Sequence, residues 1–459
     1  MFAVIAILCL ALSSILALTP YMTGIAVIAA VVVFIVCFVN TEASLYLLIL
    51  SMLLSPEIGM GGLADPSGAT VRRGVTIRTE DLLLLVMCFA WLVRSAVHKD
   101  LGLIRSTPLN GPIAWYTLAC IFATGMGFIY GYVNGVTGIF YVLKYIEFFV
   151  VYFIVANNIE SRDRIWRLTV VMLATALVIS LIAIAQIPSG GRVTAPFEGE
   201  RAEPNTLGGY LLFIGCITSG LLLGLRDRMS KMLLAGLLVL MFVPFLATLS
   251  RGSFLALPVA SIALASLKRR ARFGMIAVFV LLAAIGTVAM PQVVKDRIMY
   301  TFNQGETSHH QVQIGNVRLD SSTSARLDSW GVAVSDWADS PVWGYGITGY
   351  AFLDAQYFRI LAETGIVGAV TFIALIVAVY RQGFGLYHAT TDPLYFGLSI
   401  GLISGLTALL VHGISANTFA IVRIMEPFWL FAGLVVSCAR IESGAVVTVD
   451  VDDGDSASA

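Results

Sequence analysis

IWRLTVVMLATALVISLIAIAQI (165–187) contains one charged side chain, Arg167, and none from Leu168 onward. A helix rises about 1.5 Å per residue and pairs its own backbone donors and acceptors, so roughly 20 such residues cross about 30 Å of hydrocarbon. The stretch reads as a transmembrane helix, and it decides the fold because similar runs recur throughout the chain. They lie near 2–18, 23–39, 43–59, 81–97, 112–132, 136–157 and 205–225, then near 231–249, 253–268, 273–291, 355–380, 392–412 and 425–440. The expected fold is all-α: a polytopic integral membrane protein of about 12–14 transmembrane helices.

Composition points the same way. Of 459 residues, 58% are hydrophobic and 12% charged, against about 45–50% and 25% in soluble domains. A water-soluble core of this size could not hide so much apolar surface, so lipid must be the solvent for much of it. The 28 basic and 28 acidic residues cancel, which excludes nucleic acid as a partner drawn by bulk charge. All six cysteines fall in apolar runs without C-x-x-C spacing and read as small buried hydrophobes. The N-terminus is apolar from its start and lacks a basic flank, so it reads as a retained span rather than a secretory signal.

Basic residues orient the spans. The segments Arg94–Arg105, Arg162–Arg164, Arg226–Arg228 and Lys268–Arg272 fall on one side, taken as cytoplasmic. The connections 60–80, 188–204, the turn at Ser250 and the long 292–354 loop fall on the other. Arg72, Arg73, Arg78, Arg192, Arg201, Arg251 and Arg326 lie on that outer side, against the positive-inside trend. Anion binding is the simplest reason for them. The expected organisation is N-terminal helices over 1–135, a transmembrane core over 136–291 and an extracytoplasmic loop over 292–354. C-terminal helices over 355–440 and a disordered acidic cytoplasmic tail over 441–459 complete it. Within the loop, Leu327, Trp330, Val334 and Trp337 recur at helical spacing and predict a short amphipathic helix from Thr323 to about Asp339. No internal repeat is evident, which counts against transporters built from inverted repeats.

Several motifs carry charge into this apolar setting. In Thr248-Leu-Ser-Arg251-Gly-Ser253, the guanidinium fork suits phosphate oxygens, or it snorkels to headgroups. In Arg201-Ala-Glu203-Pro-Asn205, an outward helix N-terminus beside an arginine either binds an anion or is an ordinary cap, with Arg201 paired to Glu200 or Glu203. Asp354 opens the next span either as its cap or as a general base. Arg359 with Glu363, and Lys144 with Glu147, sit at helical spacing and read as internal pairs. Gly344-x-Gly346-x-x-Gly349 has no strand before it and reads as a flexible turn, not a dinucleotide site. His309 and His310 have no metal-ligand partners at sensible spacing; His412, near Asn417, is a proton-shuttle candidate; no metal or cofactor is expected.

Taken in order, R-x-x-P-N-x-x-G-x-Y (201–210), L-S-R-G-S (249–253), R-L-D-S-W (326–330), Pro341…Gly344-x-Gly346 and Tyr357…L-A-E-T-G (361–365) resemble the O-antigen ligase and O-antigen polymerase family. The likeness spans roughly 140–370. It implies a metal-independent glycosyltransferase of the bacterial cytoplasmic (inner) membrane, working on the extracytoplasmic face. The implied donor is an undecaprenyl-diphosphate-linked glycan and the implied acceptor a saccharide or lipid-linked glycan. Membrane lipid surrounds the protein, and a flippase and a chain-length regulator are the implied partners. By the same likeness Arg201, Arg251 and Arg326 are diphosphate-binding candidates and Asp354 is the catalytic candidate. Many family members carry His-Asn where this chain has Asp354-Ala355, which favours polymerase slightly over ligase. A permease for an anionic or lipid-linked solute, or a scaffold of a synthesis complex, are the readings from other classes.

Overall fold

The computed structural model describes residues 31–55, 57–60, 75–97, 105–197, 203–268, 313–314, 317–318 and 321–455. Its framework is helical: α1 Thr41–Leu54, α2 Thr79–Val97, α3 Asn110–Ile129, α4 Gly135–Asn158, α5 Arg162–Gln186 and α6 Pro204–Gly224. There follow α7 Arg228–Ala247, α8 Arg251–Leu267, α9 Ser321–Trp337, α10 Gln356–Ala389, α11 Pro393–His412 and α12 Val422–Asp455. Among the described residues eight helices (α3 to α7 and α10 to α12) are long and apolar enough to cross a membrane, and α1, α2 and α8 supply shorter apolar segments. The chain is a multi-pass membrane protein, as its hydropathy requires. The spans expected at 2–18 and 273–291, and the start of that at 23–39, lie outside the described residues.

Two details depart from the expectation. The connections before α2 and before α9 hold two antiparallel hairpins, β1 Glu57–Met60 with β2 Val75–Arg78, and β3 Gln313–Ile314 with β4 Val317–Arg318. The last helix also runs on to Asp455, through the stretch expected to be a disordered tail from 441.

Helix ends follow local chemistry. Asn40, Asn134, Ser161, Asp227, Ser250 and Asp392 each accept backbone N–H groups at a helix start, satisfying donors that have no intrahelical partner. The inner helices are α6, α11 and α12, while α7 turns Met232, Leu233 and Val239 outward. α6 and α11 touch backbone to backbone. A Cβ on Gly397 would lie 2.9 Å from Leu221 Cα, and one on Gly401 2.8 Å from Ile217 Cα. Small residues permit this approach, which dispersion rewards where lipid offers no hydrophobic drive between helices.

The two ends of the bundle differ. One gathers the basic connections: Arg105 pairs with Glu160, Arg162 Nε with Asp392 at 2.6 Å, and Arg167 Nε with Glu42 at 2.6 Å. Arg440 Nη1 donates to Ala156 O at 2.8 Å there. The opposite end carries the 187–203 connection, the 248–250 turn, α9 and the 413–421 segment. This alternation agrees with the one read from the basic residues.

Helix α10 is interrupted at Gly365, whose φ of 62° and ψ of −165° belong to a region open essentially to glycine. The preceding segment fills the break. Tyr345 N–H donates to Ala362 O (2.9 Å) and Gly346 N–H to Glu363 O (2.8 Å), while Ile366 N–H donates to Pro341 O (2.9 Å). The G-x-G-x-x-G stretch is therefore a packed wedge rather than a flexible turn, with Gly344 and Gly346 at φ of 67° and 84°. It satisfies the backbone groups that a broken helix leaves open, as helix breaks inside a membrane protein require.

Buried charges are neutralised by neighbours. Arg359 Nε donates to Glu363 Oε2 at 3.0 Å, bearing out that pair. Lys144 pairs with Glu147 at 3.1 Å and also with Asp81 of α2, a third member that helical spacing alone could not show.

Candidate active site

Three connections converge at the end opposite the basic one. In the turn between α7 and α8, Leu249 takes a positive φ of 51°. Thr248 Oγ1 donates to Phe245 O at 2.7 Å and accepts Ser250 N–H at 3.3 Å. Ser250 Oγ accepts Ser253 N–H at 3.4 Å as the cap of α8 and donates to Asn205 Oδ1 at 2.8 Å. Arg251 thus opens a helix beside the first turn of α6. Asn205 is not the cap of α6, since the cap position is Glu203 and no side chain caps it.

The 187–203 connection is laid against this turn. Val193 N–H donates to Ala247 O (3.1 Å), and Arg192 donates through Nε to Thr248 O (3.0 Å) and Nη2 to Leu249 O (3.3 Å). From beneath, the fully buried Arg423 donates through Nη1 to Pro196 O (2.7 Å) and through Nη2 to Ser55 O (3.2 Å).

The third connection is the loop. The amphipathic helix expected there is α9, and it packs on α10 through Trp330, stacked on Phe358 at 4.9 Å between ring centres. Arg326 Nη2 donates to Asp354 Oδ2 at 2.8 Å, with the two side chains 31% and 29% exposed. Asp354 does not cap α10. That position belongs to Ala355.

These elements enclose a cavity of about 140 Å³ lined by Arg192, Asn205, Leu249, Arg251, Gly252, Arg326 and Ser415. A single water needs only about 10–15 Å³ of such space, so the cavity admits a polar group several times larger than water. Three arginine side chains and residues from the first turns of α6 and α8 line it, a donor set whose chemistry suits an anion. Glu203, two residues before Asn205, is exposed at its surface, yet partial desolvation by its surroundings raises its carboxyl, the Asp354 charge raises it further, and Arg192 pulls the other way.

Of the expected site residues, Arg251 and Arg326 share the cavity, and Asp354 is bonded to one of them. Arg201 lies outside the described residues. Arg192 and Ser415 line the cavity without having been chosen. The outer-side arginine count contained Arg192, but nothing local separated it from its neighbours, and Ser415 had no signal. His412 is fully buried behind Gly252, with Nδ1 2.7 Å from Thr418 Oγ1. His309 and His310 lie outside the described residues. Among the described residues no group of three or more His, Cys, Asp or Glu side chains could hold a metal ion.

Residues 236–373, from within α7 to the second half of α10, match the family model described as O-Antigen ligase. This stretch is similar to the O-antigen ligase family. It contains Arg251, Arg326 and Asp354, while Arg192, Asn205 and Ser415 reach the cavity from outside it. The O-antigen ligase match implies an enzyme of glycan transfer in cell-surface polysaccharide synthesis, with a lipid-linked glycan as donor and an acceptor to receive it. Among curated proteins, none matches the chain.

Proposed function

We propose that the protein transfers a glycan from an undecaprenyl-diphosphate-linked donor to a saccharide acceptor on the outer face of the bacterial cytoplasmic membrane. The carrying observation is the cavity shared by Arg192, Arg251 and Arg326 with Asp354 at its edge. A lipid diphosphate gains negative charge as its bond to the anomeric carbon breaks. Fixed guanidinium groups and helix N-termini aimed at that charge stabilise the transition state without reorganising. The acceptor hydroxyl oxygen forms the new bond to the anomeric carbon, and its proton passes to the Asp354 carboxylate. Arg326 holds Asp354 Oδ2, which orients the carboxyl and joins base to anion site. Arg201, two residues before Glu203 in the same connection, is a further diphosphate ligand in this reading, and no metal is used.

The aspartate standing where many relatives carry histidine favours a polymerase, which extends a lipid-linked repeat, over a ligase acting on a lipid A core. The test is product formation in membranes containing Arg251→Ala or Arg192→Ala protein at normal level. Loss of polymer with the donor accumulating supports the reading. Full-length polymer at normal yield from both variants overturns the donor-site assignment. Movement of a labelled anionic solute with unchanged glycan length would favour a permease.

A further inference from the structure

A second feature at the same end of the bundle is a run of tyrosines in ring contact. Tyr130 and Tyr132, from the connection between α3 and α4, have ring centres 6.2 Å apart. Tyr132 meets Tyr345 edge-to-face at 5.0 Å, and Tyr345 meets Tyr350 at 5.5 Å. Tyr130 and Tyr132 are 65% and 50% exposed, and Tyr345 and Tyr350 are partly so. We propose that these four rings form a saccharide-binding strip that seats the acceptor glycan leading away from the transfer site. The inference rests on the glycan-transfer reading above.

The chemistry is that of a sugar ring. A pyranose has an apolar C–H face, which stacks on an aromatic ring, and a hydroxyl edge, which needs acceptors. Tyrosine offers a broad face and a polar tip at little conformational cost. Asp336 supplies an acceptor carboxylate beside the rings. Its Oδ2 accepts Tyr350 Oη at 2.6 Å, its carbonyl accepts Tyr345 Oη at 2.7 Å, and exposed Asp339 follows one turn later.

The strip is braced against α3 and joined to the site through α9. Ile347 N–H donates to Thr124 Oγ1 at 3.3 Å, and Gly346 lies so close to α3 that an added Cβ would sit 3.2 Å from Gly127 Cα. The two tyrosine pairs are thereby locked together before any ligand arrives. Helix α9 carries Arg326 in its first turns and Asp336 ten residues on, about 15 Å along the axis. A short oligosaccharide spans that distance. Tyr350 precedes Asp354 by four residues in the same segment.

A lipid-interface belt is the competing account of exposed tyrosines. Belt residues stand separately around a perimeter with hydroxyls toward headgroups. Here the rings touch one another, and two hydroxyls are bonded to α9.

The full-length protein in detergent micelles provides the test. A graded series of free oligosaccharides, released by mild acid from the cell's own surface polysaccharide, is titrated while saturation transfer from aromatic protons to sugar C–H protons is followed by NMR. Transfer that strengthens with oligosaccharide length is expected, with Tyr132→Ala and Tyr345→Ala binding about tenfold more weakly. Tyr132→Phe keeps the ring and binds normally, and Tyr345→Phe checks that the wedge still folds. Equal binding by Tyr132→Ala and unaltered protein overturns the proposal. So does a Tyr132→Ala variant that is depleted from membranes yet binds normally per folded molecule, the result of a lipid belt. Failure of the strip is separable from failure of the transferase reading. Lost turnover in the arginine variants without oligosaccharide binding sinks the strip alone, and binding without any glycan transfer sinks the transferase alone.

Discussion

The Arg326 guanidinium and the Asp354 carboxylate meet at 2.8 Å although 28 residues separate them. One belongs to α9 and the other to the segment entering α10, so the bond fixes a base candidate against an anion cavity. Asp354→Asn keeps the shape and removes the proton acceptor. Transfer should fall by about 10²- to 10⁴-fold, the usual contribution of a positioned general base, while donor binding persists. Unchanged turnover would leave Asp354 with a structural role only.

Arg192 and Arg251 approach the cavity from different connections, but Arg192 also holds the turn that presents Arg251, so their losses should be coupled rather than additive. A charge-assisted hydrogen bond contributes about 1.5–3 kcal/mol, or roughly 10- to 100-fold in affinity. Each alanine variant should weaken binding of a lipid diphosphate by that order, and lysine at either position should restore only part of it because the planar fork is gone. Isothermal titration with undecaprenyl diphosphate in micelles would check this.

Glu203 gives the mouth a pH dependence. Its carboxyl is raised from the ordinary 4.5 by partial desolvation and by Asp354, so the folded protein holds that proton more tightly than the unfolded chain. The stabilising contribution is complete below about 4.5 and is lost as pH rises through the elevated folded value. Protonation also removes a negative charge from the rim of an anion site. Donor binding should therefore strengthen as pH falls through this window. Glu203→Gln should bind the donor a few-fold, roughly 2- to 5-fold, more tightly at neutral pH and lose the dependence. An unaltered pH profile in that variant would place the titrating group elsewhere.

Gly365→Ala tests the broken helix. Alanine at this φ and ψ costs about 1–3 kcal/mol, and the added Cβ would collide with Val342 O. The variant should melt earlier in detergent and lose the wedge contacts of Tyr345 and Gly346. An unshifted melting temperature would show that the break carries no strain.

Hydropathy made the spans legible because lipid imposes a single rule on every helix that crosses it. Arg251 was legible for the complementary reason: a guanidinium between two apolar runs must have an anion or an escape to water. Asp354 was narrowed to cap or base by its position, and only the start of α10 at Gln356, with Ala355 in the cap position, removes the cap. Arg192 and Ser415 reach the cavity through backbone contacts such as Val193 N–H to Ala247 O, which leave no periodic trace. Asp81 joins Lys144 across two helices for the same reason. The glycine wedge misled because its spacing suits both turns and close packing, and the deciding partner, Gly365, lies well downstream.

Arg423 has a consequence for how defects spread through this protein. Its buried guanidinium ties the carbonyl of Ser55 to that of Pro196, so the first helices and the arginine-bearing connection share one mechanical anchor. Substitutions near the end of α1, far in sequence from any reacting group and outside the stretch similar to O-antigen ligases, should thus surface as altered donor affinity before they surface as misfolding. A screen for impaired surface polysaccharide would return such alleles mixed with those of the active site, and donor-binding measurements on each would separate displaced arginines from missing ones.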